Sequence, residues 1–333
     1  MKVHKIMYDI ITFGAAIQDI YIKPEKFKIL GSSKFATGKG VCFGLGSKID
    51  VEDMQFSSGG GGTNTAASFA KQGFLTAFCG AVGLDISGTS LIDELSRLNI
   101  DIRFIKRFAE KATSHSVVLS GLKEDRTIFV YKGASELLDK DIIPWQDIRE
   151  TRWFYVAPLA GNLCNNFEAI VNFAKENNIK IAVNPGHSQL SLPKKTLKDI
   201  FAKIDILILN QEEASFLTKT PYKKESLIFK KLDKLCPGVA IMTKGKEGVV
   251  VSDGKFMYLA KALKTEVADT VGAGDAFASG FVSAFIKENQ NIEKAIQLGI
   301  ANSSSCLSQT GAKNGLLTSL QEFEKVKVEK TKI

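Results

Sequence analysis

The chain has 333 residues, 28 of them Gly and only 7 Pro, with 44% hydrophobic content. That size suits one large α/β domain with or without a small appendage, and the apolar content excludes a wholly disordered chain. Lys and Arg total 44 against 36 Asp and Glu, a net charge of +8. The excess is scattered and forms no basic stripe interleaved with aromatics, so no nucleic-acid partner is expected. It suits a solvated surface that admits anionic small molecules.

Lys2 and Lys5 open the chain, but Asp9 and Asp19 interrupt the apolar stretch behind them, unlike a signal peptide. No run reaches the roughly 18–20 apolar residues of a membrane span, so no membrane partner is expected. Cys42, Cys79, Cys164, Cys236 and Cys306 are odd in number and lie far apart. Reduced thiols in a cytoplasmic protein are the expectation. His4, His115 and His187 have no metal-ligand spacing.

In chain order, strands are predicted at Tyr8 to Gly14, Leu75 to Val82, Trp153 to Ala157, Ile179 to Val183, Asp205 to Asn210 and Val239 to Thr243. Helices are predicted at Thr63 to Gln72, Ser87 to Leu98, Asn165 to Asn177 and Glu225 to Leu235. This alternation predicts a mostly parallel sheet with helices on both faces, a three-layer Rossmann-like core. Ser47 to Phe56 alternates polar and apolar residues with a phase shift at Asp53, which predicts a half-exposed strand with a bulge. Ser116 to Gly121 and Thr127 to Tyr131, on either side of the charged turn Lys123 to Arg126, are further β-rich runs. They predict a small β-sheet lid built from insertions at about 15–58 and 102–131, within one domain spanning 1–333.

The strongest motif is Asp269-Thr270-Val271-Gly272-Ala273-Gly274-Asp275, followed by Phe277, Phe281 and Phe285 at every fourth position. A glycine turn opening an inward-packed helix brings backbone N–H groups together where the dipole also favours negative charge. Such a nest stabilises the charge of a transferring phosphoryl group. Asp275 beside it makes chemical sense as the group that orients and deprotonates a hydroxyl nucleophile. An acid in the first turn of an ordinary helix is the alternative.

Three weaker signals accompany it. Ser58-Gly59-Gly60-Gly61-Gly62-Thr63-Asn64 lets backbone approach a ligand, and Asn64 offers both donor and acceptor to a polyhydroxylated molecule; a plain strand-to-helix turn reads the same way. Asp19, soon after the first strand, is placed to accept vicinal hydroxyls or to be a solvated loop acid. Asn210-Gln211-Glu212-Glu213 follows a buried-type strand at the end where ligands bind in open α/β sheets. Glu213 suits a Mg²⁺ held through water, while helix capping by Asn210 explains the run equally well.

Taken in this order, these segments resemble the ribokinase-like (PfkB) carbohydrate kinase family from about Tyr8 to Leu317. Asn210 and Glu213 match its N-x-x-E element, Thr243-Lys244-Gly245-Lys246-Glu247-Gly248 resembles its nucleotide-side turn, and Ala301-Asn302 resembles its adenine-side helix. The resemblance implies an ATP-dependent kinase in which Asp275 is the base and the amides of Gly272, Ala273 and Gly274 form the anion hole. It also implies substrate contacts at Asp19, Gly60, Gly61 and Asn64. ATP contacts are implied at Asn210, Thr243, Gly245, Gly248 and Asn302, Mg²⁺ at Glu213, and a monovalent cation such as K⁺ at Asp269 with backbone near Gly311.

The chain departs from ribokinases at Gly61, where they usually carry Lys, and in Val156-Ala157-Pro158-Leu159, which lacks their glutamate. Both departures point away from ribose itself. Gly38, Gly40, Gly44 and Gly46 suggest an enlarged lid. Lys132 and Arg126 stand where lid residues would meet a ligand carboxylate or phosphate, or else are solvated. A sugar or sugar derivative is the expected substrate. The alternatives are a nucleoside, with Phe35, Phe43 or Phe129 stacking on its base, and a non-catalytic sugar sensor. The lid edge is a candidate homodimer contact.

Overall fold

The computed structural model describes residues 6–33, 38–119 and 127–333. His4, Phe35, Arg126 and the turn Lys123 to Arg126 lie outside the described residues. Among those described, ten strands form one sheet, numbered here in chain order: β1 (Tyr8–Phe13), β6 (Thr76–Gly83), β7 (Ile105–Phe108), β10 (Thr151–Val156), β11 (Lys180–Val183), β12 (Ile206–Asn210), β13 (Val239–Thr243), β14 (Val249–Ser252), β15 (Phe256–Ala260) and β16 (Val328–Lys332). Their spatial order is β16-β15-β14-β13-β12-β11-β10-β1-β6-β7. From β13 to β7 every pairing is parallel, and β14, β15 and β16 close one edge antiparallel.

Apolar runs without alternation drive this arrangement, because a parallel sheet covered by helices is buried on both faces. In β1, Ile11 and Phe13 join the core on one face while Ile10 joins the core on the other. Ile208 and Leu209 of β12 divide in the same way. A third cluster, including Phe78, Leu91 and Leu95, packs the helix Ile86–Arg97 onto β6.

Four further strands make the small sheet: β2 (Ile17–Pro24), β5 (Val51–Gly59), β8 (Ser114–Leu119) and β9 (Thr127–Tyr131), in the order β5-β2-β8-β9. The β2–β8 pairing is parallel and the outer two are antiparallel. The bulge expected near Asp53 is present: Lys23 pairs with Asp53 but Pro24 pairs with Val51, so Glu52 is the extra residue. Proline cannot donate to the ladder, and the irregularity falls at that position. A two-stranded hairpin, β3 (Lys28–Gly31) with β4 (Lys39–Cys42), occupies the long segment between β2 and β5.

The second small-sheet segment starts later than expected. Ile105–Phe108 pairs with β6 in the main sheet, and small-sheet pairing begins at Ser114. The helix expected at Asn165 to Asn177 is two helices, Gly161–Asn165 and Phe167–Glu176, meeting at Asn166. All five cysteines are free. Among the described residues, no helix is long and apolar enough to cross a membrane.

Candidate active site

The chain leaves β1 toward β6 on one side, and β10 lies on the other. That reversal of strand order opens a crevice at the carboxyl ends of β1 and β10, where open α/β sheets bind ligands. Gly14, just past β1, is packed so closely that an added Cβ would lie 2.7 Å from Gly62 N and 2.9 Å from the Ala157 Cβ. The glycine cluster therefore abuts the end of β10. Gly60 carries φ 95°, and a side chain there would meet the Ala15 carbonyl at 2.4 Å. Glycine is required at that position.

The helix Gly61–Lys71 then begins, and Asn64 on its first turn is buried. Its Nδ2 donates to Asp275 Oδ2 at 2.8 Å, across 211 residues of sequence. Asn64 Oδ1 is buried without a partner among the described residues, so an acceptor remains beside Asp275. Gly61 stands against the same carboxylate: a Cβ there would lie 3.4 Å from Asp275 Oδ1 and 3.2 Å from Pro158 Cδ.

Asp275 lies in the first turn of the helix Ala273–Lys287. Gly272 precedes it at φ 77°, where a Cβ would strike the Ala312 Cβ at 2.3 Å, and no side chain caps the helix. Its first N–H groups are therefore left for an outside acceptor. Gly274 has open space around its Cα, so backbone access rather than crowding is its only use for glycine here. Phe277, Phe281 and Phe285 are buried along one face, the last two stacked. Desolvation raises the Asp275 pKa above the usual carboxylate value, opposed by the Asn64 hydrogen bond and the charge of Lys313.

Asp19 is buried on β2, against Gly59, and accepts a hydrogen bond from Ser116 Oγ of β8. Asp269 accepts from Tyr21 Oη at 2.9 Å, Val271 N at 3.0 Å and Gly311 N at 3.1 Å. The hydroxyl of a small-sheet residue is thereby tied to the start of the glycine loop.

The other predicted residues are more dispersed. Asn210 Oδ1 accepts from Glu213 N and Glu213 Oε2 accepts from Asn210 N, both at 2.8 Å, so the pair forms a reciprocal helix cap. Burial nevertheless raises the Glu213 pKa, partly offset by the Asn210 N–H. The buried phenol of Tyr155, raised mainly by its own burial, feels the charges of both Asp275 and Glu213. Thr243 ends β13, and Gly245 and Gly248 have positive φ in the turn that follows. A Cβ on Gly248 would fall 2.0 Å from the Ala260 carbonyl.

Asn302, expected beside adenine, is 0% exposed. Its Nδ2 donates to Ala276 O and Ser68 Oγ, and its Oδ1 accepts from Leu317 N, so its side chain has no surface to offer a nucleotide. Lys132 lies exposed just past β9, its carbonyl accepting from Ser114 Oγ. His115 bonds the Thr113 carbonyl and Ser87 Oγ, and His187 packs on Phe216.

Sequence reasoning missed Tyr21, Ser116 and Lys313. None stands in a glycine motif, and each reaches the site through a pairing distant in sequence. Lys313, directly after Gly311-Ala312, gives no sign in the sequence of its burial.

Residues 7–319 match the pfkB family of carbohydrate kinases, and the chain belongs to that family. It is accordingly a phosphotransferase with an alcohol acceptor. It is similar to the ribokinase of Staphylococcus aureus strain COL, 28% identical over 273 residues, which cover 80% of this chain and 88% of the relative. Arabidopsis thaliana ribokinase complexed with ribose and ATP shares the fold with TM-score 0.77 at 22% identity, over 94% of this chain and 97% of that one. A Methanocaldococcus jannaschii nucleoside kinase gives TM-score 0.75 at 21% identity, over 94% and 96%.

Proposed function

We propose that this protein transfers the γ-phosphate of ATP to a hydroxyl of a sugar or sugar derivative. The observation that carries the reading is the hydrogen bond from buried Asn64 to Asp275 at the mouth of an uncapped helix N-terminus. A base, a hydroxyl-orienting amide and a phosphate-accepting nest are thereby joined in one crevice. Asp19, the backbone of Gly60 and Gly61, and Asn64 Oδ1 hold the acceptor's hydroxyls, with exposed Lys132 at the rim. Asp275 takes the proton of the attacking hydroxyl. The raised pKa makes it a better acceptor than an ordinary carboxylate, and a loose phosphoryl-transfer transition state needs little prior deprotonation. The amides of Gly272, Ala273 and Gly274 receive the charge on the moving phosphoryl group.

Asn210, Thr243, Gly245 and Gly248 form the nucleotide side. Glu213 fits Mg²⁺ through water, because a carboxylate disfavoured by burial is stabilised by a nearby cation. When bound, that ion neutralises charge on the phosphates. Asp269 and the backbone near Gly311 already adjoin each other, which suits a monovalent cation such as K⁺. The small sheet is joined to the site by β2 and β5 themselves, so its closure would exclude water during transfer. All five residues of β9, an edge strand, are exposed, which suits pairing with a second copy; light scattering showing a monomer would overturn that contact.

A nucleoside acceptor is the second reading, favoured by the exposed rings of Phe43 and Phe129. A coupled ADP-release assay over ribose, fructose, 2-keto-3-deoxygluconate, adenosine and guanosine tests both. Turnover with a sugar alone supports the first and turnover with a nucleoside the second. Acceptor binding without ADP release would leave a sugar-sensing protein instead.

A further inference from the structure

Among the described residues, one basic side chain and one acidic residue fall in the buried class, and both belong to this site: Lys313 and Asp19, each 6% exposed. A buried charge is costly unless paired and hydrogen-bonded, and unusual ones concentrate at functional sites. The surroundings of Lys313 are specific. Its Nζ donates to Ser58 Oγ at 2.8 Å and lies 3.3 Å from Glu94 Oε2 on the helix Ile86–Arg97. Its carbonyl accepts from Lys71 Nζ at 2.8 Å. Ser58 pairs with Gln18 on β2, next to Ser57 paired with Asp19. One residue further on, Gly59 rests on the Asp19 carboxylate. Burial lowers the Lys313 pKa, the facing charges of Glu94, Asp19 and Asp275 oppose this, and its ammonium in turn favours the ionised form of Asp275.

We propose that Lys313 is a positioning residue for phosphoryl transfer: its buried ammonium, clamped by Ser58 and Glu94, fixes the strand end that leads into Gly59–Gly61 and holds Asp19 and Asp275 in one charge-balanced arrangement. The side chain is buried and its ammonium is engaged by Ser58 and Glu94, so it acts through these neighbours and not on substrate. The proposal rests on the kinase reading above. It assigns a function to a lysine outside every glycine motif, and explains how two carboxylates are kept beside an incoming polyanion.

The test measures kcat, KM for each substrate and melting temperature for wild type, Lys313→Met and Lys313→Arg. Methionine keeps most of the buried stem and removes the charge. The expected result is a roughly ten- to hundredfold fall in kcat, since small misplacements at a reacting centre cost that much, with KM for ATP unchanged. Melting is expected to fall, because removing one partner of a buried charge pair leaves the other uncompensated, so kcat is read at a temperature where both variants are folded. Arginine should recover part of kcat. A purely structural lysine gives lowered melting with unaltered kcat in the folded protein, and overturns the proposal. If Lys313→Met does not fold, Ser58→Ala decides: reduced kcat at unchanged melting supports it, and wild-type kcat overturns it. A wild type inactive on every acceptor overturns the kinase reading and this proposal with it. An active wild type with unimpaired Lys313→Met overturns this proposal alone.

Discussion

The proposed acceptor half of the site and the proposed nucleotide half are built by different means. Around Asp275 the connections are side-chain contacts between distant segments: Asn64 to Asp275, Tyr21 to Asp269, and Lys313 to Ser58. Around Asn210 and Thr243 they are local, a helix cap spanning three residues and a turn of positive-φ glycines. The acceptor half buries charge, and burial raises the pKa of Asp275 there as it raises that of Glu213 on the nucleotide side. The nucleotide half presents backbone. On the proposed reading, discrimination among acceptors belongs to the long-range contacts, and nucleotide binding to geometry that a short motif suffices to encode.

The sharpest way to break this contrast is at the base. Asp275→Asn should lower kcat by at least about a hundredfold while ATP binding persists, read by steady-state kinetics and calorimetry. The same variant has a pH signature. A carboxyl whose folded pKa is raised favours folding when protonated, and that contribution is lost as pH rises through the folded pKa. Wild type and Asp275→Asn should therefore melt alike in acid, and the variant should melt higher at neutral pH. Wild-type kcat should fall on the acid side with an inflection above the ordinary carboxylate value.

Glycine substitutions should come next. Gly272→Ala forces a residue with a Cβ into φ 77° and against Ala312, with an expected cost of about 1–3 kcal/mol and a large loss of kcat. Gly274→Ala meets nothing within 4 Å, so melting should change little. Equal destabilisation by both would refute the argument that only the first is conformationally required. Asn210→Ala removes a cap worth about 1 kcal/mol, with a matching small rise in KM for ATP and little change in KM for the acceptor. The smallest effect is expected for Lys132→Ala, which removes an exposed charge at the rim and should change acceptor KM by only a fewfold.

The same contrast governs what could be read from residues alone. Val239–Thr243, Glu225–Leu235 and Thr127–Tyr131 have their expected bounds, because apolar runs, periodicity and turn residues are local. The nest at Gly272 and the cap at Asn210 are legible for that reason too. The hairpin β3–β4 and the edge strand β16 are not, since short exposed strands carry little burial pattern. Asn302 was misplaced because a polar residue on a helix gives no sign of the three partners it finds inside. Lys313 was overlooked for the converse reason: only the folded chain shows that this lysine is buried.

The most direct test of the central claim is phosphoryl transfer itself. Wild type and Asp275→Asn are each incubated with ATP and the sugar and nucleoside panel, and the acceptor is examined by mass spectrometry for an added phosphoryl group. The account predicts a phosphorylated sugar with wild type and almost none with Asp275→Asn, both proteins binding ATP. Comparable product from the variant, or ADP without any phosphorylated acceptor from wild type, would contradict it.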